Sequence, residues 1–92
     1  MIRSFRDKDA EGLFLGYSSR RFRSIARMAQ RKLVQLHAAQ RLEDLRAFPG
    51  NRLEALGRDR RGQHSIRIND QYRICFTWRA GDAHQVEVVD YH

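Results

Sequence analysis

The sequence contains few of the residues that form disulfides, metal sites or phosphate-binding loops. Cys75 is the single cysteine among 92 residues, so an internal disulfide is excluded. None of the four histidines falls at a metal-ligand spacing with the cysteine or another histidine, and no glycine-rich phosphate loop is present. We therefore predict no metal and no cofactor. No apolar stretch has the length of a signal peptide or a membrane span, so we expect a cytoplasmic protein without membrane contact.

Lysine and acidic residues are also scarce beside arginine. Lys and Arg together number 18 against 11 acidic residues, which gives a net charge of +7, and all of those cations except Lys8 and Lys32 are arginine. The planar guanidinium fork grips phosphate at two points and stacks on bases, so this composition favours a polyanionic partner, most simply nucleic acid. A basic surface without a specific partner is the alternative that composition leaves open.

The first half of the chain has the pattern of helices. Carboxylates at Asp7, Asp9 and Glu11 predict the first turn of a helix, and Ser18 or Ser19 is the expected N-cap of a longer one that ends near Gln40. The apolar stripe of that second helix comprises Phe22, Ile25, Met28, Ala29, Leu33, Leu36 and Ala39. Its outer face is basic and is expected to contact a polyanion or simply to be solvated; it carries Arg20, Arg21, Arg23, Arg27, Arg31 and Lys32.

The second half has the pattern of strands. Apolar and polar residues alternate from Gln63 to Phe76 on both sides of an Asn-Asp turn, which is typical of an antiparallel hairpin. A last strand is expected from His84 to Tyr91. The length supports a single domain over residues 1–92. The predicted fold is α+β, with two N-terminal helices packed on one face of a small, mainly antiparallel sheet, and with the other face open.

Arg67 and Arg73 lie side by side on the predicted open face. Two like charges on neighbouring strands cost free energy unless an anion or a carboxylate lies between them. On this basis we expect Arg73→Ala to leave thermal stability unchanged or slightly improved. The glycine-bounded loop from Gly57 to Gly62 adds the candidate substrate-binding residues Arg58, Arg60 and Arg61, with His64 beside it as a further candidate or a structural residue.

The end of the sequence supplies groups suited to RNA cleavage. Attack by an adjacent 2′-hydroxyl needs a base, an acid for the leaving 5′-oxygen, and positive charge around the phosphorus. Asp90 and His92 are candidates for the proton steps, Tyr91 for stacking on a base, and Arg73 for the charge, with Arg67 in support. A terminal histidine is also often only solvated, and spacing alone does not decide between these alternatives.

Three stretches of sequence together resemble a known family. They are L-E-A-L-G-R-D-R-R-G-Q-H-S-I-R-I-N-D-Q-Y-R-I-C-F from Leu53 to Phe76, G-D-A from Gly81, and V-V-D-Y-H from Val88. They resemble the HigB branch of the RelE/ParE toxin superfamily, and the helical first half and the length also fit.

The resemblance implies a RelE-like fold and a type II toxin that cleaves mRNA in the A site of the 70S ribosome without a metal. It also implies a HigA-like helix-turn-helix antitoxin as partner, with operator DNA contacted only through that antitoxin. Arg73, Asp90, Tyr91 and His92 would then be active-site residues, supported by Arg67. A ParE-like, non-enzymatic topoisomerase inhibitor and a non-toxic RNA- or ribosome-binding module are the alternative functions.

The chain departs from the family pattern at three positions. The usual basic loop is L-K-G-D-R, whereas this sequence has Leu56-Gly57-Arg58-Asp59-Arg60, so Arg58 is the candidate to replace the lysine. Glu54 stands where some members have a histidine, and His64 stands where an aromatic residue is common. These differences predict slower cleavage or a different division of roles among the residues.

Overall fold

The computed structural model describes residues 1–17 and 19–90, and of Arg58 only the backbone. The chain forms helices first and strands afterwards, as the α+β prediction requires, with short 3-10 turns at Arg23–Ile25, Pro49–Asn51 and Arg58–Arg60. The helices are α1 (Lys8–Phe14), α2 (Ala26–Ala38) and α3 (Leu42–Arg46). The strands are β1 (Glu54–Ala55), β2 (Gln63–Arg67), β3 (Tyr72–Arg79) and β4 (Asp82–Asp90).

The two N-terminal helices differ in how they begin. Asp7 caps α1, because its carboxylate accepts a hydrogen bond from the backbone N–H of Ala10 at 2.8 Å. The second helix begins later than predicted. A 3-10 turn follows Phe22, and α2 itself starts only at Ala26, so Ser19 is not its N-cap, while Ser18 lies outside the described residues. Phe22 is buried and no side chain caps the backbone here, so packing of the aromatic ring and not capping sets this boundary.

The four strands form one antiparallel sheet in the order β1-β2-β3-β4. The predicted hairpin is confirmed, with Ile66 opposite Ile74 and Arg67 opposite Arg73. On its outer edge β4 receives the N-terminal segment, whose Ile2 and Phe5 form parallel bridges. Among the described residues no helix is long and apolar enough to cross a membrane.

The helices cover one face of the sheet and bury the core there. This face contributes Ile66, Ile74, Phe76, Val86 and Val88, and the predicted stripe of the second helix is buried except at Met28, which is 42% exposed. The opposite face, expected to stay open, is partly closed: Ser65, Arg73 and Cys75 are buried on it. Arg52, in the chain before β1, contacts Arg73, whose side chain in turn contacts Ser65. Arg60, in the loop before β2, lies 3.7 Å from Glu87, the residue opposite Cys75.

Candidate functional site: the arginine face of the sheet

The candidate site lies on the sheet face away from the helices, which we call the arginine face. Residues directly opposite one another in an antiparallel ladder point to the same side. The register pairs Glu54 with Ser65, Ser65 with Cys75, and Cys75 with Glu87. Arg67 and Arg73 form the next pair along the same face. The structure therefore brings the two predicted arginines together with two carboxylates.

Arg73 is held by internal hydrogen bonds. It is only 8% exposed. Its Nε donates to the hydroxyl of Ser65 at 2.8 Å, and its Nη2 donates to the carbonyl oxygens of Arg52 and Ser65 at 2.6 and 3.3 Å. The carboxylate of Glu54 lies 4.0 Å from Nη2. These contacts argue against the expectation that Arg73→Ala is harmless to stability, because removal of the side chain leaves buried acceptors without a donor.

The segment that Arg73 contacts is fixed from the other side by Asn51. This buried amide donates to the Leu45 carbonyl at 3.1 Å and to Gln35 at 3.3 Å, and its oxygen accepts from the ammonium of Lys32. The next residue, Arg52, has a left-handed backbone with φ of 44°, which turns its carbonyl toward Arg73. Helices α2 and α3 therefore position the carbonyl that orients Arg73.

Arg67 has a different partner and is more accessible. Its guanidinium forms an ion pair with Asp70 in the hairpin turn, so the like charges of Arg67 and Arg73 are each offset by a carboxylate of the chain itself. Burial, with added repulsion from Arg67 and Arg31, lowers the pKa of Lys32. The ammonium of Lys32 on α2 therefore lies close enough to Arg67 for the two charges to repel each other.

The basic loop approaches the arginine face through Arg60. Its Nη1 donates to Gln63 at 3.2 Å and lies 3.7 Å from Glu87, which also pairs with Arg6 at 3.2 Å. Arg61 is exposed. The side chain of Arg58 lies outside the described part. Beneath this loop, burial raises the pKa of the Cys75 thiol, so the thiol remains protonated and is a poor nucleophile at neutral pH.

Two predicted site residues lie on the helix-covered face instead. His64 is opposite Phe76 in the ladder and its ring stacks on that side chain, with centroids 6.2 Å apart. Its Nδ1 is buried and has no hydrogen-bond partner among the described residues, and burial, with repulsion from Arg46, lowers the pKa of the imidazole. Asp90 is opposite Tyr72 and accepts a hydrogen bond from the Gln71 amide at 3.2 Å. Tyr91 and His92 lie outside the described residues.

The sequence patterns did not single out the partners of Arg73. Alternation in β2 places Ser65 on the same face as Arg67 and Arg73, but it does not mark Ser65 as a hydrogen-bond partner of Arg73. Strand β1 is only two residues long, too short for a periodicity that would mark Glu54. The Arg52 carbonyl leaves no signal, because every residue carries one.

Among the described residues, the arginine face contains a fixed cation that keeps unbonded N–H groups beside an exposed carboxylate. Within the described part of the chain, the Nη1 of Arg73 makes no hydrogen bond, so its two N–H groups are available to a phosphate oxygen. The carboxylate of Glu54 beside it is 56% exposed and can accept a hydrogen bond from a hydroxyl group. Such an arrangement suits a ribose-phosphate unit.

Comparison with known proteins gives two matches over nearly the whole chain. The model of the HigB-like toxin family, described as the RelE-like toxin of type II toxin-antitoxin system HigB, matches residues 3–92. Toxin HigB-1 of Vibrio cholerae serotype O1 is 42% identical over 85 residues, and the alignment covers 90% of each chain.

Proposed function

Because the chain belongs to the HigB-like family of type II toxins, we propose that it is a ribosome-dependent endoribonuclease that cleaves mRNA in the A site. The observation that carries the proposal is the arginine face, where Arg73 is fixed by hydrogen bonds and keeps two N–H groups for a phosphate. Toxin-antitoxin membership implies an antitoxin partner. We assign that role to a HigA-like helix-turn-helix protein, through which alone the toxin would contact operator DNA.

The proposed reaction needs no metal. The ribose 2′-oxygen attacks the adjacent phosphorus and loses its proton to a base, while the bond from phosphorus to the 5′-oxygen breaks and that oxygen takes up a proton. The products are a 2′,3′-cyclic phosphate and a 5′-hydroxyl. The guanidinium of Arg73 stabilises the charge that develops on the phosphorane oxygens, and each proton transfer contributes about 10²–10⁴-fold.

The proton-transfer groups are assigned partly beyond the described residues. We assign one transfer to His92 and base stacking to Tyr91. Asp90, on the helix-covered face and bonded to Gln71, suits a positioning role for the end of β4. Glu54, exposed and beside Arg73, is a second candidate base. Arg58, Arg60, Arg61 and Arg67 are assigned to phosphate contacts with the message and the ribosome.

One observation favours the ParE-like alternative. Three N–H groups of Arg73 donate to Ser65 and Arg52, and these bonds support a structural role that a non-enzymatic inhibitor would also require. The two functions differ in their need for His92, since a binding inhibitor has no use for a proton-transfer group.

The test is cleavage of a message on programmed ribosomes, detected by primer extension. His92→Gln and a chain that ends at Asp90 are compared with the parent, and folding is checked by circular dichroism. We expect both to fold and to cleave about 10²–10⁴-fold more slowly, because a general acid or base is lost. Free RNA should be cut poorly by all three proteins. A folded variant that cuts at the parental rate would refute the assignment of a proton transfer to His92. A folded parent that cuts no message on programmed ribosomes would remove the enzymatic assignment and support the topoisomerase or the RNA-binding alternative.

A further inference from the structure

Carboxylates of the chain itself lie against the guanidinium groups that the arginine face would offer to phosphates. Arg67 forms its ion pair with Asp70 in the hairpin turn. The Nη1 of Arg60 lies 3.7 Å from Glu87, which also pairs with Arg6 at 3.2 Å. Two carboxylates therefore lie at positions where the proposed function places phosphate groups.

Arg73 is paired more loosely than these arginines. Its Nη2 lies 4.0 Å from the carboxylate of Glu54, and its Nη1 makes no hydrogen bond to any residue that the structure describes. The pairing is therefore closest at the arginines assigned to phosphate contacts, and loosest at the arginine assigned to the reaction.

The exposed arginines of α2 and of the 3-10 turn before it differ from those of the arginine face. Arg23, Arg27 and Arg31 form no ion pair within residues 1–17 and 19–90. With 11 acidic residues for 18 cations, many cations of this chain must remain unpaired. The fold leaves the cations of α2 unpaired and places carboxylates on the arginine face.

The pair of Arg67 and Asp70 can be opened without a change of fold. The side chain of Asp70 is 99% exposed and that of Arg67 is 31% exposed, so solvent reaches both partners. An exposed ion pair of this kind is worth at most about fivefold in an equilibrium constant. Glu87 is more buried than Asp70, but its partner Arg60 is partly exposed. A phosphate therefore competes with each carboxylate for the same guanidinium group.

We propose that Asp70 and Glu87 are specificity-determining residues that exclude free RNA from the arginine face. Each carboxylate stays paired with its arginine until a phosphate displaces it. A message that the ribosome holds in place meets these arginines at a high local concentration, whereas free RNA competes only at its concentration in solution. The inference rests on the proposed function for the identity of the polyanion, because that function assigns RNA as the ligand.

The test measures the binding of a short, fluorescein-labelled single-stranded RNA by anisotropy. Its 2′-oxygens carry methyl groups, which prevent cleavage. The variants are Asp70→Asn and Glu87→Gln, and the matched control is Glu43→Gln. Glu43 pairs with Arg46 on α3, three residues away, as Asp70 pairs with Arg67, and both partners of the control pair are exposed. The control removes the same charge from one of the helices on the opposite side of the sheet.

Both variants should bind this RNA more tightly than the parent. At about 100 mM salt we expect a gain of about 2–5-fold for Asp70→Asn and for Glu87→Gln, and a gain of less than about 1.5-fold for Glu43→Gln. Each freed arginine adds one phosphate contact, so the slope of log affinity against log salt should steepen by about 0.7. In an Arg67→Ala background, Asp70→Asn should have no effect, because it frees no guanidinium group.

Two results would overturn the proposal. The first is a gain in RNA affinity for Asp70→Asn or for Glu87→Gln that does not exceed the gain for Glu43→Gln. The second is a gain for Asp70→Asn that persists in the Arg67→Ala background, which would make Asp70 only a source of general repulsion. Circular dichroism checks folding, and Asp70→Asn decides the question if Glu87→Gln does not fold.

Cleavage by the parent on programmed ribosomes is measured in parallel to keep this inference separate from the enzymatic one. If the parent cleaves no message while both variants gain affinity for RNA, the enzymatic proposal ends and the role of the two carboxylates stands. If the parent cleaves the message while neither variant gains affinity, the role of the carboxylates is refuted and the enzymatic proposal stands.

Discussion

Replacement of Arg73 by alanine is expected to destabilise the protein strongly. It removes the donors for the Ser65 hydroxyl and for the carbonyls of Ser65 and Arg52, and Ser65 is fully buried. Loss of a buried, charged donor to several acceptors costs about 3 kcal/mol. Small domains of this length have a total stability of about 5–14 kcal/mol. The midpoint of thermal unfolding should therefore fall by about 12–24 °C, at about 4–8 °C per kcal/mol.

The matched control is Arg67→Ala, on the same face and directly opposite in the ladder. Arg67 pairs with Asp70, whose side chain is almost fully exposed, so this change should cost less than about 1 kcal/mol. Urea unfolding followed by circular dichroism measures the free energy of unfolding of both variants. Equal midpoints for the two variants, or an unshifted midpoint for Arg73→Ala, would refute the structural role of Arg73.

Measurements of cleavage separate the structural role of Arg73 from its proposed role in catalysis. Arg73→Lys keeps the charge but lacks the fork that reaches Ser65 and Arg52 together, so its stability should lie between those of the parent and Arg73→Ala. At a temperature where all variants are folded, Arg73→Ala should still cleave at least about 10²-fold more slowly, because no guanidinium stabilises the negative charge on the phosphorane oxygens of the transition state. Full activity of the folded fraction would leave Arg73 with a structural role alone.

Three other predictions follow from particular residues. Burial lowers the pKa of His64, so folding favours the neutral ring and the free energy of unfolding decreases as the pH falls below about 6.5. His64→Phe should make this decrease smaller in urea titrations at several pH values, and it should not slow cleavage. Ala80, beside Gly81 in the β3–β4 turn, has φ of 53°, a left-handed conformation that asparagine adopts more readily than alanine. Ala80→Asn should therefore raise the free energy of unfolding by up to about 1 kcal/mol, measured by thermal unfolding, and a lower stability would contradict this reasoning. If six or more phosphates are contacted, ribosome affinity should fall by about 10³-fold between 50 and 200 mM salt, and a flat dependence would remove the electrostatic argument.

Local pattern was sufficient to predict the helices, the hairpin and the faces of its strands. Alternation in β2 and β3 placed Arg67 opposite Arg73, and the structure has that register. The helix start beside Asp7 was also predicted, because it depends on residues that are neighbours in sequence, although Asp7 caps α1 and does not lie in its first turn. The start of α2 could not be predicted in this way, because it depends on burial of Phe22 against Tyr72. These two residues are 50 positions apart in the sequence, and their ring centroids lie 5.7 Å apart.

The sequence by itself determined the α+β order of elements, the excess of arginine and the motifs of the family, because each depends on composition or on residues a few positions apart. Only the tertiary structure decided what surrounds those residues. It buried Arg73 against the Arg52 carbonyl and placed His64 and Asp90 on the helix-covered face. The physical reason is that charge compensation and burial depend on which segments meet in space, and a two-residue strand or a backbone carbonyl leaves no periodic signal in the chain.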